Sequence, residues 1–297
     1  MSSEESDKKV SLSSSESRVR KRVVLDFEKL KAKGILTPDI GRSPVAEEFR
    51  VIKRPLLLNA HQRRDGNTDR NTNMIMVTSA FPKEGKTFTA INLAMSLAAE
   101  MDSTVLLVDG DVAKPSVSRI LGFKSKEGLI DHLLGNVDDY HDILIRTNIP
   151  KLMILPSGRR HHHATELLAS ENMRLLLLEL ASHPDRIVVF DSPPLLVTTE
   201  ARELARNMGQ IVMVVEAENT PQYAVKDALE YLDNLEIVGL ILNKMRVQSR
   251  GSYGGYGSYG GYGSYGYGGY GGYGYGYGYG SSSPNKRKKG FFSRLFG

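Results

Sequence analysis

The sequence predicts an α/β fold built on an open, mostly parallel β-sheet with helices on both faces. Short apolar runs alternate with segments of helical pattern, and each run is almost continuous in Val, Ile and Leu. Strands that are covered on both faces have this composition, whereas half-exposed strands alternate apolar with polar residues. The predicted strands are Met74–Thr78, Val105–Val108, Leu152–Leu155, Ile187–Phe190, Ile211–Val215 and Val238–Leu242, and the predicted helices lie near residues 86–100, 116–122, 128–134, 165–182, 199–207 and 221–234.

Two segments precede the first strand. Residues 1–16 are rich in Ser, Glu and Lys, and we expect them to be disordered. Residues 17–72 are expected to form a helical extension. Its first helix should run from about Arg18 to Lys33, because Gly34 is a stop signal, and its second should begin at Pro44.

The predicted core domain, residues 73–246, is followed by a tail, residues 247–297, that ends in a basic segment. From Gly251 to Gly280 the tail contains only Gly, Tyr and Ser, and it holds eleven of the 14 tyrosines. A stretch without aliphatic side chains cannot form a core. Its phenols either take part in chemistry or form a low-complexity segment for self-association or RNA contact. The eleven residues are Tyr253, Tyr256, Tyr259, Tyr262, Tyr265, Tyr267, Tyr270, Tyr273, Tyr275, Tyr277 and Tyr279.

Charge and cysteine content exclude several classes of protein. Of the 39 Lys and Arg residues, five follow Gly251, so residues 1–250 carry 34 bases and 34 acids. A neutral body argues against a nucleic-acid partner. The absence of cysteine excludes disulfides, thiolate metal sites and cysteine nucleophiles. No apolar run has the length of a membrane span and the N-terminus lacks a signal-peptide core, so we expect a cytoplasmic protein.

A candidate phosphate-binding loop follows the first strand and opens a helix. Its residues Gly85, Lys86 and Thr87 match the end of the P-loop pattern, although Ala80 stands where the first glycine is usual. Backbone N–H groups from Lys83 to Thr87 could surround phosphate oxygens, Lys86 could reach the β- and γ-phosphates, and Thr87 could bind Mg²⁺. The alternative is an ordinary strand–turn–helix connection.

Three acidic residues follow two other predicted strands. Asp109 and Asp111 come after Val105–Val108, and Asp191 comes after Ile187–Phe190. Ligands of open α/β sheets bind outside the carboxyl ends of the strands, which is where these carboxylates should meet the loop. The pattern therefore predicts an ATP and Mg²⁺ site of the P-loop NTPase type, the alternative being that the acids cap the following helices.

These motifs, in this order, resemble those of the bacterial tyrosine kinases (BY-kinases) of extracellular polysaccharide export. The resemblance covers about residues 44–246, and the tyrosine-rich tail completes it. It rests on Ser79-Ala80-Phe81-Pro82-Lys83-Glu84-Gly85-Lys86-Thr87, on Asp109-Gly110-Asp111-Val112-Ala113-Lys114-Pro115, on Asp191-Ser192-Pro193-Pro194 and on the helix Glu47-Glu48-Phe49-Arg50-Val51-Ile52-Lys53. The chain departs from the family pattern at Lys83, where glycine is usual, and at Ala113 and Lys53, where arginine is usual.

The resemblance implies an ATP- and Mg²⁺-dependent tyrosine autokinase with the C-terminal tyrosines as phosphate acceptors. Its catalytic residues would be Lys86, Asp109, Asp111 and Asp191. The nucleotide would be bound by Lys83, Glu84, Gly85, Lys86, Thr87 and Phe88, with Asn243 at the adenine or, alternatively, capping a turn. The metal would be bound by Thr87, Asp109 and Asp191, and self-association would use Glu47, Arg50 and Lys53.

The resemblance also implies partners. These are a separate membrane protein of the chain-length-determinant type as activator, further copies of this chain phosphorylated in trans, and a phosphotyrosine phosphatase. Recruitment to the inner face of the bacterial inner membrane and control of polysaccharide polymerisation or export would follow. The rival interpretation is a ParA/MinD-type ATPase scaffold; those proteins share the fold but carry a second lysine where this loop has Phe81.

Overall fold

A seven-stranded sheet forms the centre of the protein in the computed structural model, which describes residues 21–64, 71–183, 185–232 and 237–245. The strands are β1 (Met74–Ser79), β2 (Thr104–Asp109), β3 (Ile145–Arg146), β4 (Leu152–Leu155), β5 (Arg186–Asp191), β6 (Gln210–Glu216) and β7 (Val238–Asn243). They lie in the order β3-β4-β2-β5-β1-β6-β7, and every neighbouring pair is parallel except β3 with β4. The predicted mostly parallel sheet is confirmed; the short strand β3 was not predicted.

Helices cover both faces of the sheet, as predicted. Successive strand residues point to opposite faces, so Met74 and Met76 pack into one apolar layer while Ile75 and Val77 pack into the other. All four side chains are fully buried. The helices are α1 (Phe27–Ala32), α2 (Pro44–Arg64), α3 (Lys86–Ala98), α4 (Val117–Leu121), α5 (Leu129–Leu133), α6 (Ala164–Leu168), α7 (Glu171–Ser182), α8 (Glu200–Ala205) and α9 (Gln222–Glu230).

The segment predicted as one helix over residues 165–182 is two helices. α6 ends at Leu168, and α7 begins at Glu171 with Ser170 as its N-cap. The Ser170 hydroxyl accepts a hydrogen bond from the backbone N–H of Met173 at 3.2 Å. A capping serine satisfies a free N–H of the first turn, which favours a new helix start over a continuous helix.

The predicted helix from Arg18 to Lys33 is also shorter than expected. Arg18 lies outside the described residues, and α1 begins only at Phe27. The chain before it is extended along β3: Val23 N donates to Arg146 O at 2.9 Å, and Arg146 N donates to Lys21 O at 2.9 Å. Pairing with the sheet edge satisfies these backbone groups in an extended conformation, so the helix starts after Asp26, which caps it.

The topology brings three strand ends together at one edge. β5 lies between β1 and β2, and Asp109 is in register with Asp191, which is itself in register with Val77. The candidate phosphate loop follows β1 and leads directly into α3. None of the helices in the described ranges is long and apolar enough to cross a membrane.

Candidate nucleotide-binding site

The loop between β1 and α3 is shaped by two residues with left-handed backbone conformation. Gly85 has φ +105° and precedes the first residue of α3. A side chain there would be strained by this φ angle and would displace the amide of Asn243, whose Nδ2 would lie 2.1 Å from the added Cβ atom. Lys83 has φ +73°, a conformation that costs about 1–2 kcal/mol for a residue with a Cβ atom. The structure thus explains why a glycine would suit position 83.

Replacing Lys83 with glycine is therefore expected to stabilise the protein. The gain should be about 0.5–1 kcal/mol, because relief of the left-handed strain exceeds the added entropy of glycine in the unfolded chain. Chemical denaturation measures the free energy of unfolding. Lys83→Ala is the matched control, since it removes the same side chain but keeps the Cβ atom. An equal gain in both variants would show that backbone strain is not the cause.

Glu84 fixes the loop from the inside. Its side chain is buried, and Oε2 accepts a hydrogen bond from the backbone N–H of Phe81 at 2.8 Å. Its other carboxylate oxygen accepts a hydrogen bond from the hydroxyl of Thr220. Both carboxylate oxygens of Glu84 therefore brace the loop, and the predicted contact of Glu84 with the nucleotide stays a prediction. Its partner Thr220, which follows β6, was not predicted from the sequence.

Asn243 also braces the loop. Its side-chain amide donates to the backbone carbonyl of Glu84 at 2.8 Å, and the neighbouring Lys244 ammonium donates to Lys83 O at 2.7 Å. The two contacts tie the end of β7 to the loop. The contact with adenine that the sequence predicts for Asn243 stays a prediction, and the structure supplies a different use for the same amide.

Replacing Asn243 with alanine distinguishes the two uses. Loss of the brace should weaken ATP and GTP binding by the same factor, about fivefold, which corresponds to roughly one hydrogen bond. Loss of an adenine contact should instead weaken ATP alone. Affinities measured by calorimetry for both nucleotides decide between them. We expect the equal loss because one hydrogen of the Asn243 amide already binds the loop.

The predicted catalytic lysine lies among the acidic residues. Lys86 is the first residue of α3, and its Nζ lies 3.1 Å from Oδ2 of Asp111, with both side chains almost completely buried. Asp109 Oδ2 accepts a hydrogen bond from the N–H of Val117 at 3.1 Å. The hydroxyl of Ser116 donates to the Thr87 hydroxyl at 3.1 Å. The structure thus brings Lys86, Thr87 and the acids to one place.

Burial dominates the electrostatics of two of the acids. Desolvation, with a smaller contribution from the negative charge of Asp191, raises the pKa of Asp109 to about 8. Desolvation also raises the pKa of Asp191 to about 7, although Lys86 and the Thr87 hydroxyl act in the opposite direction. Both carboxyl groups therefore favour the protonated form more than a solvated aspartate does, and a bound cation would reverse that preference.

The acids fit a divalent cation in combination with a phosphate ligand. Oδ1 of Asp109 and both oxygens of Asp191 are buried and have no hydrogen-bond partner among the described residues. Within the same ranges, no group of three His, Cys, Asp or Glu side chains is arranged to hold a metal unaided. Mg²⁺ commonly binds one or two carboxylates and takes its other ligands from water and substrate phosphates. The residues present match that mode of binding.

A cavity of about 380 Å³ opens beside Lys86 and Thr87. Phe88, predicted to bind the nucleotide, lines it and also packs into the apolar layer of α3. The sequence did not predict two contributions to the wall. Arg119, which lies on α4, adds a cation beside Lys114, and the loop after Pro194 contributes Val197 and Thr198. These residues have no motif of their own, and only the return of α4 and of this loop to the strand ends brings them to the cavity.

The three residues predicted for self-association do not share one environment. Glu47 and Arg50 are exposed and form an ion pair of 2.6 Å on α2. Lys53 is buried: its Nζ donates to the carbonyl of Ser96 at 2.9 Å and pairs with Glu100 at 2.5 Å. Lys53 therefore holds α2 against the end of α3, and self-association through Glu47, Arg50 and Lys53 stays a prediction. The eleven tail tyrosines lie outside the described residues.

Comparisons with known proteins agree with this geometry. A family model described as an AAA domain matches residues 74–244. The tyrosine-protein kinase YwqD of Bacillus subtilis is 32% identical over 212 residues, which cover 68% of this chain and 88% of that protein. The succinoglycan biosynthesis transport protein ExoP of Rhizobium meliloti is 36% identical over 220 residues, covering 72% of this chain but only 27% of that longer protein. The crystal structure of the chimerical protein CapA2B2 is 29% identical, has a TM-score of 0.62, and is matched over 76% of this chain and 93% of that one.

Proposed function

The chain belongs to the bacterial tyrosine kinases, and we propose that it transfers the γ-phosphoryl group of ATP to tyrosines of its own C-terminal cluster. The observation that carries this proposal is the buried contact of Lys86 with Asp111, beside the fully buried carboxyl group of Asp191. Such a site can neutralise phosphate charge and accept a proton at the same place. The eleven tail tyrosines provide acceptors in the same chain.

The proposed roles of the residues follow from their charges and positions. Lys86 stabilises negative charge on the transferred group, and backbone N–H groups of the loop hold the phosphates. Asp191, Asp109 and Thr87 would hold Mg²⁺, which when bound neutralises phosphate charge and orients the γ-phosphoryl group. Asp111 accepts or orients the proton of the tyrosine hydroxyl, whose unperturbed pKa of about 10 leaves it protonated near neutral pH.

Nucleotide binding should release Asp111 for this role. Without nucleotide, Lys86 neutralises Asp111 across 3.1 Å. When the phosphates take over the ammonium of Lys86, the Asp111 carboxylate loses its partner and becomes available to the hydroxyl of the substrate tyrosine. The site would then present this carboxylate to the tyrosine only when ATP is bound.

The finer biological role is also part of the proposal. The name of ExoP links that relative to transport in succinoglycan biosynthesis, and we propose that this chain regulates polysaccharide polymerisation or export. A membrane protein of the chain-length-determinant type would activate it at the inner face of the bacterial inner membrane. Copies of the chain would phosphorylate one another in trans, and a phosphatase would reverse the modification. We retain the four predicted domains, with the kinase in residues 73–246.

Incubation with γ-labelled ATP and Mg²⁺, followed by mapping of phosphotyrosine, tests the activity. We expect label on residues 253–279, and none in a matched variant in which all eleven tail tyrosines are phenylalanine. Transfer in trans is tested by mixing that variant with a catalytically inactive copy that keeps its tyrosines. Label on the inactive copy shows that one chain phosphorylates another. The assay includes the cytosolic segment of the membrane activator. Release of phosphate without labelled tyrosine, even in its presence, would support the ParA/MinD-type scaffold instead.

A further inference from the structure

A second cavity lies away from the nucleotide site, next to the antiparallel edge strand β3. It has a volume of about 380 Å³. Four cationic side chains line it: Lys21 and Arg22 from the N-terminal segment, and Lys124 and Lys126 from the loop between α4 and α5. We call these residues, with the apolar residues named below, the basic pocket. Nothing in the proposed kinase mechanism uses it.

Backbone hydrogen bonds fix the N-terminal wall of the basic pocket. The two bonds between residues 21–23 and Arg146 hold Lys21 and Arg22 along β3. Leu25 N donates to Oδ1 of Asn148 at 2.9 Å, and the Asn148 amide donates back to Leu25 O at 3.2 Å. The cations therefore project from an anchored segment, which lowers the entropy that a ligand must remove on binding.

The charge of the basic pocket is strongly positive. Its one acid, Glu127, pairs with Lys21 at 2.8 Å. The Lys21 ammonium, with weaker effects of Arg159 and Lys126, lowers the pKa of Glu127. Three cations thus act on the same carboxylate, and Arg22 and Lys124 add further positive charge. An anion with two negative charges could be held there without an added counter-ion.

The other wall of the basic pocket is apolar. Val23, Phe123 and Ile145 line it, and all three belong to or pack against the apolar layer on the α3 face of the sheet. An inorganic anion would leave this apolar wall exposed to water. A membrane surface could not enter a concave site of this size. An aromatic ring that carries a phosphate satisfies both walls at once, with its ring against Phe123 and its phosphate among the lysines.

We propose that the basic pocket binds phosphotyrosine in a glycine-rich peptide, the product of the kinase reaction. The ligand class rests on the proposed function, because only a tyrosine kinase would produce this group. α4 runs between the two sites: the N–H of its first residue, Val117, binds Asp109, and Phe123 follows its last turn. Product bound in the basic pocket can therefore act on the position of Asp109 through one short helix.

Fluorescence anisotropy with a synthetic phosphopeptide tests the proposal independently of catalysis. The probe copies residues 251–255 with phosphate on Tyr253, and the full chain is first dephosphorylated and kept in EDTA without nucleotide. We expect saturable binding that weakens by about tenfold or more in Lys124→Gln/Lys126→Gln. Arg206→Gln/Lys226→Gln is the matched control, because it removes two exposed cations elsewhere and should leave binding unchanged.

Competition experiments on the unmodified chain complete the test. Free phenyl phosphate should displace the probe, whereas ADP with Mg²⁺ should not. A phosphoserine version of the peptide should bind at least several-fold more weakly, since it lacks the ring. Three outcomes would each overturn the proposal. The phosphoserine peptide could bind as tightly as the phosphotyrosine peptide, or ADP could displace the probe. In a parallel assay with anionic vesicles, the lysine variant could lose vesicle binding while it keeps peptide binding. Failure of the tyrosine-labelling assay would leave this binding result unaffected, so the two proposals fail separately.

Discussion

Replacement of Lys86 with methionine is expected to lower the rate of tyrosine phosphorylation by about 10³-fold or more. Removing one preorganised charge that stabilises a transferring phosphoryl group typically costs this much. Methionine keeps an unbranched apolar chain that is only one atom shorter than the lysine, so the first turn of α3 should persist. The initial rate of label incorporation at saturating ATP measures the effect on the chemical step rather than on binding.

The same substitution should also destabilise the protein. Lys86 is the ion-pair partner of Asp111, and both side chains are almost completely buried. Breaking a buried pair from one side leaves an unpaired charge, which costs about 3–5 kcal/mol when the remaining group stays ionised.

A double variant separates the two effects. Lys86→Met/Asp111→Asn removes the orphaned charge, so it should recover most of the lost free energy of unfolding while remaining inactive. Lys114→Met is the matched control, because it removes an exposed cation of the same cavity and should change the rate much less. If the double variant recovered activity together with stability, Lys86 would have a structural role only.

The sequence predicted the central part of the site because each motif lies at the end of a predicted strand. Parallel strands place their carboxyl ends at one edge, so Lys86, Asp109 and Asp191 could be brought together without knowledge of side-chain packing. The order of the strands and the register of Asp109 with Asp191 were not predictable. They depend on the crossovers of helices between strands, which no local pattern encodes.

The errors of prediction lie where tertiary contacts override local pattern. Nothing in the sequence indicates that Lys53 lies in the contact of α2 with α3, where it binds Ser96 and Glu100. Residues 21–25 have helical composition, but the unpaired edge of β3 offers them backbone partners. From distant positions in the sequence, Thr220 binds Glu84 of the loop and Arg119 lines the nucleotide cavity. Sequence spacing carries no signal for such contacts, because they form only after the sheet is assembled.

The second large effect concerns Asp191 and the dependence of stability on pH. Burial raises the pKa of Asp191 to about 7 in the folded protein, from an ordinary value of 3.8. Between these values the folded state retains a proton that the unfolded state has lost. Stability therefore falls as the pH rises through this window, and it levels off above pH 7 for this group.

Replacement of Asp191 with asparagine should remove the part of the pH dependence that Asp191 contributes, while Asp109, whose pKa burial also raises, keeps its own part. From pH 5 to pH 8 the metal-free wild-type protein is expected to lose about 2–3 kcal/mol of unfolding free energy through this residue, whereas the variant should not. The variant also removes the charge that helps to raise the pKa of Asp109, so the pH profile should flatten further. Urea denaturation in EDTA at both pH values measures the difference.

Mg²⁺ with a nucleotide should restore the stability that the protein loses at high pH, but only when Asp191 is present. A cation near the carboxylate favours the ionised form, so the ligand should stabilise the wild-type protein more at pH 8 than at pH 5. The asparagine variant should lose most of this gain. Glu48→Gln is the matched control, since it neutralises an exposed carboxylate on α2 and should leave the pH profile unchanged. Parallel profiles for wild type and Asp191→Asn would show that the buried carboxyl group does not titrate in this range, and would remove the reason to place the metal beside it.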